Sequence, residues 1–166
     1  VDHKLRDGST NEAKKVRQIL KKFKINADIL TWVGKKPSSN IQSAARKARY
    51  DLLFSKSKQL RIGYILTGHH EGDLIENFFI RMLRGSGLKG LVSLDKKNKI
   101  NDINVIRPLL YEKKEDLEFL SNFVFNFYVQ DPSNKDEKFQ RIKVRRLIEN
   151  LKINGLEKDK FSRTIQ

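Results

Sequence analysis

Residues 62–77 read Ile-Gly-Tyr-Ile-Leu-Thr-Gly-His-His-Glu-Gly-Asp-Leu-Ile-Glu-Asn, and the fold assignment starts from this stretch. The apolar, β-branched and aromatic run 62–67 predicts a short buried strand that ends at turn residues. The segment after it predicts an amphipathic helix, because its apolar residues recur at helical spacing. These residues are Leu74, Ile75, Phe78, Phe79, Met82 and Leu83. Open α/β sheets bind ligands just past the carboxyl ends of their strands, so the polar residues between strand and helix are candidates for a functional site.

Two acidic residues, Asp73 and Glu76, lie three positions apart at the start of this helix. Both carboxylates therefore project from one side of its first turn. One interpretation is that they bind a ligand. The other is that they only complement the helix dipole, which contributes about 0.3–1 kcal/mol per residue. The spacing is compatible with both.

The rest of the chain alternates between helical and strand patterns. Residues 9–12, Ser-Thr-Asn-Glu, have capping-box spacing and predict that a helix follows. The other predicted elements are a strand over 27–32, a helix over 40–57, a strand over 104–107 ended by Pro108, and helices around 117–127 and 144–151. Residues 96–102 predict a polar loop, and residues 152–166 show no convincing core face. The alternation predicts an α/β fold with a parallel sheet. We expect one domain over 1–151 and a tail or the start of a linker over 152–166. The helical part after Pro108 could pack on the sheet or form a small appendage.

The composition favours a protein that binds a polyanion. The net charge is +15 and the isoelectric point is near 10.0, which points to nucleic acid. The alternative is a coding bias toward Lys, Asn and Ile without any ligand. The absence of Cys excludes a disulfide framework, a thiolate metal site and a cysteine nucleophile. The sequence contains no membrane-spanning apolar run and no signal-peptide pattern, so we expect a cytoplasmic protein.

Arginines at helical spacing form two stripes. Gln42, Arg46 and Arg49 share one helix face, and Arg141 and Arg145 share another. Guanidinium groups suit phosphates because they offer two parallel charged hydrogen bonds. A solvated basic face is the alternative for both stripes.

Two further features give weaker signals. The turn that begins at Arg84, Arg-Gly-Ser-Gly, could present backbone N–H groups to an anion, or it could simply end a helix. The histidines are His3, His69 and His70. Adjacent histidines on an extended segment point in opposite directions, so we expect one of His69 and His70 to face the cleft while the other packs, and we expect no metal site.

Five segments, taken together and in order, resemble the tRNA(Ile)-lysidine synthetase family of PP-loop ATPases. They are Val1–Arg6, Ser39–Tyr50, Gly68–Leu91, Arg107–Leu110, and Asp131–Asn134 leading to Arg141 and Arg145. The resemblance extends over almost the whole chain up to about Leu151.

This resemblance implies a Rossmann-like parallel sheet with flanking helices and a helical C-terminal part. It also implies a C–N bond-forming ligase that uses ATP and Mg²⁺. Its partners would be L-lysine and a tRNA(Ile) with a CAU anticodon. ATP adenylates C2 of the wobble cytidine, and the lysine ε-amine then displaces AMP to form lysidine.

The same resemblance assigns roles to individual residues. Asp73 and Glu76 are implied catalytic residues that hold the ammonium or α-amino group of lysine. The implied nucleotide-binding residues are His3, Arg46, Arg49, Gly68, His69 and His70. The implied RNA-binding residues are Arg84, Arg141 and Arg145, and Arg141 with Arg145 could instead steady ATP phosphates. No metal ligand is implied.

The chain departs from the family pattern at two places. An SGGxDS loop normally precedes the Val-Asp-His motif, and the 166 residues do not contain it. Members often carry two adjacent acids where this chain has Gly72-Asp73. We therefore expect a fragment of a lysidine synthetase that lacks the N-terminal loop and is inactive, or nearly so, alone.

Two other functions remain open. One is a different PP-loop tRNA-modifying enzyme such as a thiolase, although enzymes that carry sulfur commonly use cysteines and this chain has none. The other is a non-catalytic basic RNA-binding module. An unpaired strand edge could also drive formation of a homodimer.

Overall fold

The computed structural model describes residues 1–129 and 140–165, so the predicted turn at Asp131–Asn134 lies outside the described residues. The helices are α1 (Ser9–Lys22), α2 (Ile41–Gln59), α3 (Glu71–Met82), α4 (Leu88–Leu91), α5 (Lys114–Phe125), α6 (Gln140–Ile153) and α7 (Lys158–Thr164). The strands are β1 (Tyr64–Leu66), β2 (Lys97–Ile100) and β3 (Ile103–Ile106). The chain divides into two compact units, Val1–Ile65 with Asn101–Ile103 and Leu66–Ile100 with Asn104–Gln166.

In the first unit, the expected strand at 27–32 is reduced to a single parallel bridge between Asp2 and Thr31. The bridge is held by hydrogen bonds from Asp2 N to Leu30 O at 2.7 Å and from Trp32 N to Asp2 O at 2.9 Å. The two segments run parallel, as predicted, but they pair only at this bridge and do not form a strand.

Helix α1 forms as predicted, but its capping box does not. The N-cap is Gly8, whose φ of 84° is left-handed and therefore suits glycine. The Ser9 and Thr10 hydroxyls donate to the Asp2 carboxylate at 2.9 and 2.6 Å instead of capping backbone N–H groups. The Glu12 carboxylate accepts from Arg6 at 2.8 and 2.5 Å. Tertiary partners have replaced the local cap.

Helix α2 confirms the predicted helix over 40–57. Its buried residues are Ala45, Phe54 and Ser57. The Ser57 hydroxyl donates to the Ile62 carbonyl and so closes the turn that follows the helix.

The described strands pair in the order β1-β3-β2. Strand β1 lies within the predicted segment 62–67, but the expectation that it is buried is wrong, because Tyr64 is 59% and Leu66 61% exposed. The cause is its position at the edge of the described sheet, where it pairs only with β3.

The loop expected at 96–102 is also wrong, since most of it forms β2. Strands β2 and β3 are joined by only Asn101 and Asp102, whose φ angles of 48° and 64° fit a tight hairpin turn. A connection this short can only join antiparallel strands. The predicted α/β class is confirmed, and the hairpin makes the sheet mixed.

The core of the second unit is built by α3, α6 and α7. The buried apolar side chains are Leu74, Ile75, Phe79, Leu110, Val144, Ile148 and Ile165. Phe161 of α7 stacks on Phe79 at 5.4 Å between ring centroids and meets Phe78 edge-on at 5.1 Å. The expectation that 152–166 lacks a core face is therefore wrong. The domain boundary at residue 151 stays a prediction.

Helix α5 forms where a helix was expected, but it buries none of its residues. Phe119 and Phe123 stack on each other at 6.2 Å and are 70% and 79% exposed. Among the described residues, no helix is both long enough and apolar enough to span a membrane.

Candidate functional site

The polar residues after β1 begin helix α3 with a true capping box. His70 is extended at φ −128°, and its Nδ1 accepts from Gly72 N at 3.1 Å. In return, His70 N donates to Asp73 Oδ2 at 3.1 Å. His70 thus caps α3, and Asp73 has a structural role in addition to any chemical one. Both His69 and His70 are half-buried, so the expectation that one of them packs while the other faces the cleft stays a prediction.

Gly72 fits this cap because it lacks a side chain. A Cβ at this position would lie 2.9 Å from His70 Cε1, which is too close for an unshifted ring. A second acid next to Asp73, which the family pattern often has, would displace the His70 ring. Gly72 therefore leaves room for the His70 ring to cap α3.

The carboxylates of α3 face the guanidinium groups of α6. Glu76 Oε1 accepts from Arg145 Nε at 2.5 Å, and Glu76 Oε2 from Arg145 Nη2 at 3.4 Å. Asp73 Oδ1 lies 3.9 Å from Arg141 Nη1. The structure thus brings two predicted catalytic residues together with two predicted RNA-binding residues in one charge-balanced cluster, which we call the α3–α6 cluster.

The two acids in the α3–α6 cluster are not equivalent. The Glu76 side chain is 7% exposed and held through both oxygens, whereas Asp73 is 16% exposed and has a longer contact to its arginine. Arg141 and Arg145 remain 44% and 39% exposed. Asp73 and Arg141 are therefore the members that a ligand reaches with less rearrangement. Carboxylates suit an ammonium group, while guanidinium groups suit a carboxylate or a phosphate.

Arg84, the third predicted RNA-binding residue, lies just past the C-terminal end of α3. Its Nη2 donates to the Gln140 side-chain carbonyl at 2.7 Å, so it contacts the first residue of α6. All three predicted RNA-binding arginines thus contact α6 or belong to it.

Gly68 and His69 occupy the turn between β1 and α3. The Thr67 hydroxyl and His69 Nδ1 are 2.9 Å apart, and Thr67 N donates to Ile106 O at 2.9 Å. A Cβ on Gly68 would meet nothing within 4 Å, so packing within this chain does not require glycine there.

The other predicted nucleotide-binding residues belong to the first unit. Arg49 Nε donates to His3 Nε2 at 3.4 Å, and the Arg46 guanidinium lies over the Tyr50 ring at 5.1 Å. Burial, and then the positive charge of Arg49, lower the pKa of His3 below its usual 6.5. This shift favours the neutral form of His3.

Trp32 is a neighbour of His3 that the sequence reasoning did not select. Its ring meets His3 edge-on at 6.0 Å, and Lys36 Nζ lies 3.9 Å from its centroid while donating to Trp32 O at 2.7 Å. His3 Nδ1 is buried without a hydrogen-bond partner. An aromatic group among cations with one unsatisfied buried nitrogen fits the base and phosphates of a nucleotide. One sequence feature could have identified this residue: Trp32 is the chain's one tryptophan and lies at the end of a predicted strand.

No group of three or more His, Asp or Glu side chains in the described ranges could hold a metal ion. We therefore assign no described residue to Mg²⁺.

Comparisons with known proteins agree with the resemblance seen in the sequence. A family model described as a PP-loop domain matches residues 1–151. A tRNA(Ile)-lysidine synthase of Orientia tsutsugamushi is 41% identical over 154 residues, which are 93% of this chain and 35% of that protein. One of Rhodopseudomonas palustris is 34% identical over 157 residues, which are 95% of this chain and 45% of that protein. The chain thus spans less than half the length of these relatives.

Among solved structures, the U34-tRNA thiolase NcsA from Methanococcus maripaludis, with its 4Fe-4S cluster, is similar at a TM-score of 0.76. The two chains are 16% identical, and the match covers 98% of this chain and 58% of the thiolase chain. At this identity the likeness shows a shared fold.

Proposed function

Since this chain belongs to the PP-loop domain family, we propose that it forms part of the catalytic domain of a tRNA(Ile)-lysidine synthetase. The observation that carries the proposal is the α3–α6 cluster, in which Asp73 and Glu76 meet Arg141 and Arg145. An amino acid has both an ammonium and a carboxylate group, and this cluster offers a partner for each. The names of the relatives support lysine as that amino acid and tRNA(Ile) as the acceptor.

The proposed reaction has two steps. First, O2 of the wobble cytidine attacks the α-phosphate of ATP, so pyrophosphate leaves and C2 is activated. Second, the ε-amine of lysine attacks C2, the C2–O bond breaks, and AMP leaves with a proton lost from nitrogen. The base and phosphates of ATP would be held by His3, Arg46 and Arg49, with Mg²⁺ accompanying ATP.

Within this scheme, the acids of the α3–α6 cluster have separate roles. Asp73 binds the ammonium group of lysine, since it is the more exposed acid. Glu76 contributes by holding Arg145 in place, since both of its oxygens already contact that arginine. A charged hydrogen bond of this kind contributes roughly 1.5–3 kcal/mol when sheltered.

The test replaces the matched segment of the Orientia relative with this chain and compares Asp73→Asn with Glu76→Gln. We expect Asp73→Asn to raise the lysine concentration needed for transfer by about 10- to 150-fold, with little change in the ATP requirement or in tRNA affinity. Glu76→Gln should raise the lysine requirement and lower stability, because it weakens the contact that orients Arg145. Glu149→Gln, an exposed acid paired with lysines, is the matched control.

A non-catalytic RNA-binding module is the second candidate, and the charge of +15 favours it. It predicts that Arg141→Ala weakens tRNA binding and that Asp73→Asn changes nothing. Loss of lysine transfer at unchanged tRNA affinity in Asp73→Asn would exclude it.

A further inference from the structure

Strand β2 forms a basic surface in the second unit that neither the α3–α6 cluster nor the nucleotide residues use. Lys96, Lys97 and Lys99 are all exposed and fall within four consecutive residues. Among the described strands, β2 lies at one edge of the sheet and pairs only with β3. Lys97 and Lys99 are two residues apart and so project from one face of β2, while Lys96 lies just before the strand.

An exposed aromatic ring accompanies these lysines. Tyr111 is 40% exposed, and Lys96 Nζ lies 5.6 Å from its ring centroid. Cations next to an accessible aromatic face form the usual combination for single-stranded nucleic acid, because the cations follow the phosphates while the ring stacks on a base.

A buried arginine fixes the backbone of this surface from within. Arg107 is 3% exposed, its Nη1 donates to Asp95 O at 2.6 Å, and the same nitrogen bonds the Asn98 side-chain oxygen. Arg107 N donates to Lys96 O at 2.8 Å. These acceptors are neutral oxygens, and Arg107 Nε is buried without a partner. Burying a charge in this way is costly, so the structure holds the 95–98 segment in place at the expense of stability.

Lysines on an edge strand have another established effect, which is to prevent pairing with other strands. That effect needs neither the exposed Tyr111 nor a fixed backbone. The tight Asn101-Asp102 turn follows β2, and Arg107 hydrogen-bonds the segment that begins it, so contacts fix the backbone at both ends of the strand.

We propose that Lys96, Lys97, Lys99 and Tyr111, here named the β2 surface, bind the phosphate backbone and an unstacked base of the RNA substrate. This inference rests on the proposed function, because it takes tRNA as the substrate. It adds a contact surface remote in sequence from Arg141 and Arg145, with Arg107 as its positioning residue.

The test measures binding of the full chain to a labelled tRNA(Ile) transcript between about 50 and 200 mM salt. The slope of interest is that of the logarithm of the binding constant against the logarithm of the salt concentration. Removing one lysine–phosphate pair should lower the magnitude of this slope by about 0.7 to 0.9. We expect Lys97→Gln with Lys99→Gln to lower the slope by about 1.4 to 1.8 and the affinity by roughly tenfold at 0.1 M salt. Tyr111→Ala should weaken binding by about 5- to 150-fold, and Tyr111→Phe should retain it.

The matched control is Lys21→Gln with Lys22→Gln, which removes the same charge from two exposed positions of α1. An equal slope change in the control and in the β2 variant would overturn the inference, because only the general charge would then matter. Equal tRNA affinities of the Tyr111→Ala and Tyr111→Phe variants would also overturn the inference. If the unaltered chain binds no tRNA at the lowest salt, the inference is overturned, whereas the proposed function is decided separately by lysine transfer in the chimera.

Discussion

Asp2 shows how a single buried residue determines local structure. Its carboxylate is 3% exposed and accepts from the Ser9 and Thr10 hydroxyls and from Lys4 N. Burial acts to raise the pKa of Asp2, but the hydrogen bonds from Thr10, Lys4 and Ser9 outweigh it and hold the pKa below its usual 3.8. Asp2 therefore orders the start of α1 in its charged form.

This direction of the Asp2 pKa shift predicts how stability depends on pH. A carboxyl group whose pKa is lower in the folded state stabilises fully above its unfolded pKa and loses that effect as the pH falls below it. We expect Asp2→Asn to lower the free energy of unfolding by about 1–3 kcal/mol near pH 7. The difference from the unaltered chain should shrink below about pH 4.

Urea unfolding followed by Trp32 fluorescence would measure this effect, because Trp32 is the only tryptophan and lies in the same unit. Asp7→Asn, at an exposed neighbouring acid, serves as the control. A difference between Asp2→Asn and the unaltered chain that stays constant down to about pH 2–3 would contradict the assigned role.

Single residues also show which contacts of the site could not be predicted from the sequence. The candidates Asp73, Glu76, Arg141 and Arg145 were selected from helical spacing and resemblance. Their mutual pairing was not predicted, because Glu76 and Arg145 are 69 positions apart and nothing local encodes the contact. The cap between His70 and Asp73 was missed because histidine is an uncommon N-cap residue.

At the scale of elements, prediction succeeded where the apolar period was strong. Helices α3 and α6 formed around the expected residues, and Leu74, Ile75, Val144 and Ile148 are buried. Strand β2 was missed because its sequence, Lys-Asn-Lys-Ile, lacks apolar alternation. The sequence feature that could have indicated a hairpin was the two-residue spacer Asn101-Asp102 between two extended segments.

Helix α7 was missed for a different reason. It is only seven residues long, and its contribution to the core comes mainly from Phe161 and from Ile165 just beyond its end. Two apolar residues give too short a pattern for an amphipathic assignment. The ring of Phe161 nevertheless packs against both Phe78 and Phe79.

We expect Phe161→Ala to destabilise the second unit by about 3 kcal/mol, because it removes a ring from this aromatic cluster. Phe123→Ala removes the same ring from an exposed site on α5 and should change stability by less than about 0.5 kcal/mol. Urea unfolding followed by circular dichroism would compare the two variants. Equal effects would mean that α7 does not contribute to the core as described.

At the scale of the whole molecule, the charge of +15 is consistent with the RNA substrate that we propose. The basic side chains are distributed over both units, with Arg46 and Arg49 in the first and the α3–α6 cluster and β2 surface in the second. Binding of the proposed RNA substrate through the basic groups of either unit should weaken steeply with salt.

The most direct test of the central claim is incorporation of labelled lysine into a tRNA(Ile) with a CAU anticodon, in the presence of ATP and Mg²⁺. The enzyme would be the Orientia relative with its matched segment replaced by this chain, compared with the chain alone. We predict that the chimera transfers lysine to the tRNA and that Asp73→Asn in the chimera raises the lysine concentration needed for this transfer by about 10- to 150-fold. A folded, tRNA-binding chimera that transfers no lysine, or one that Asp73→Asn leaves fully active, would contradict the claim.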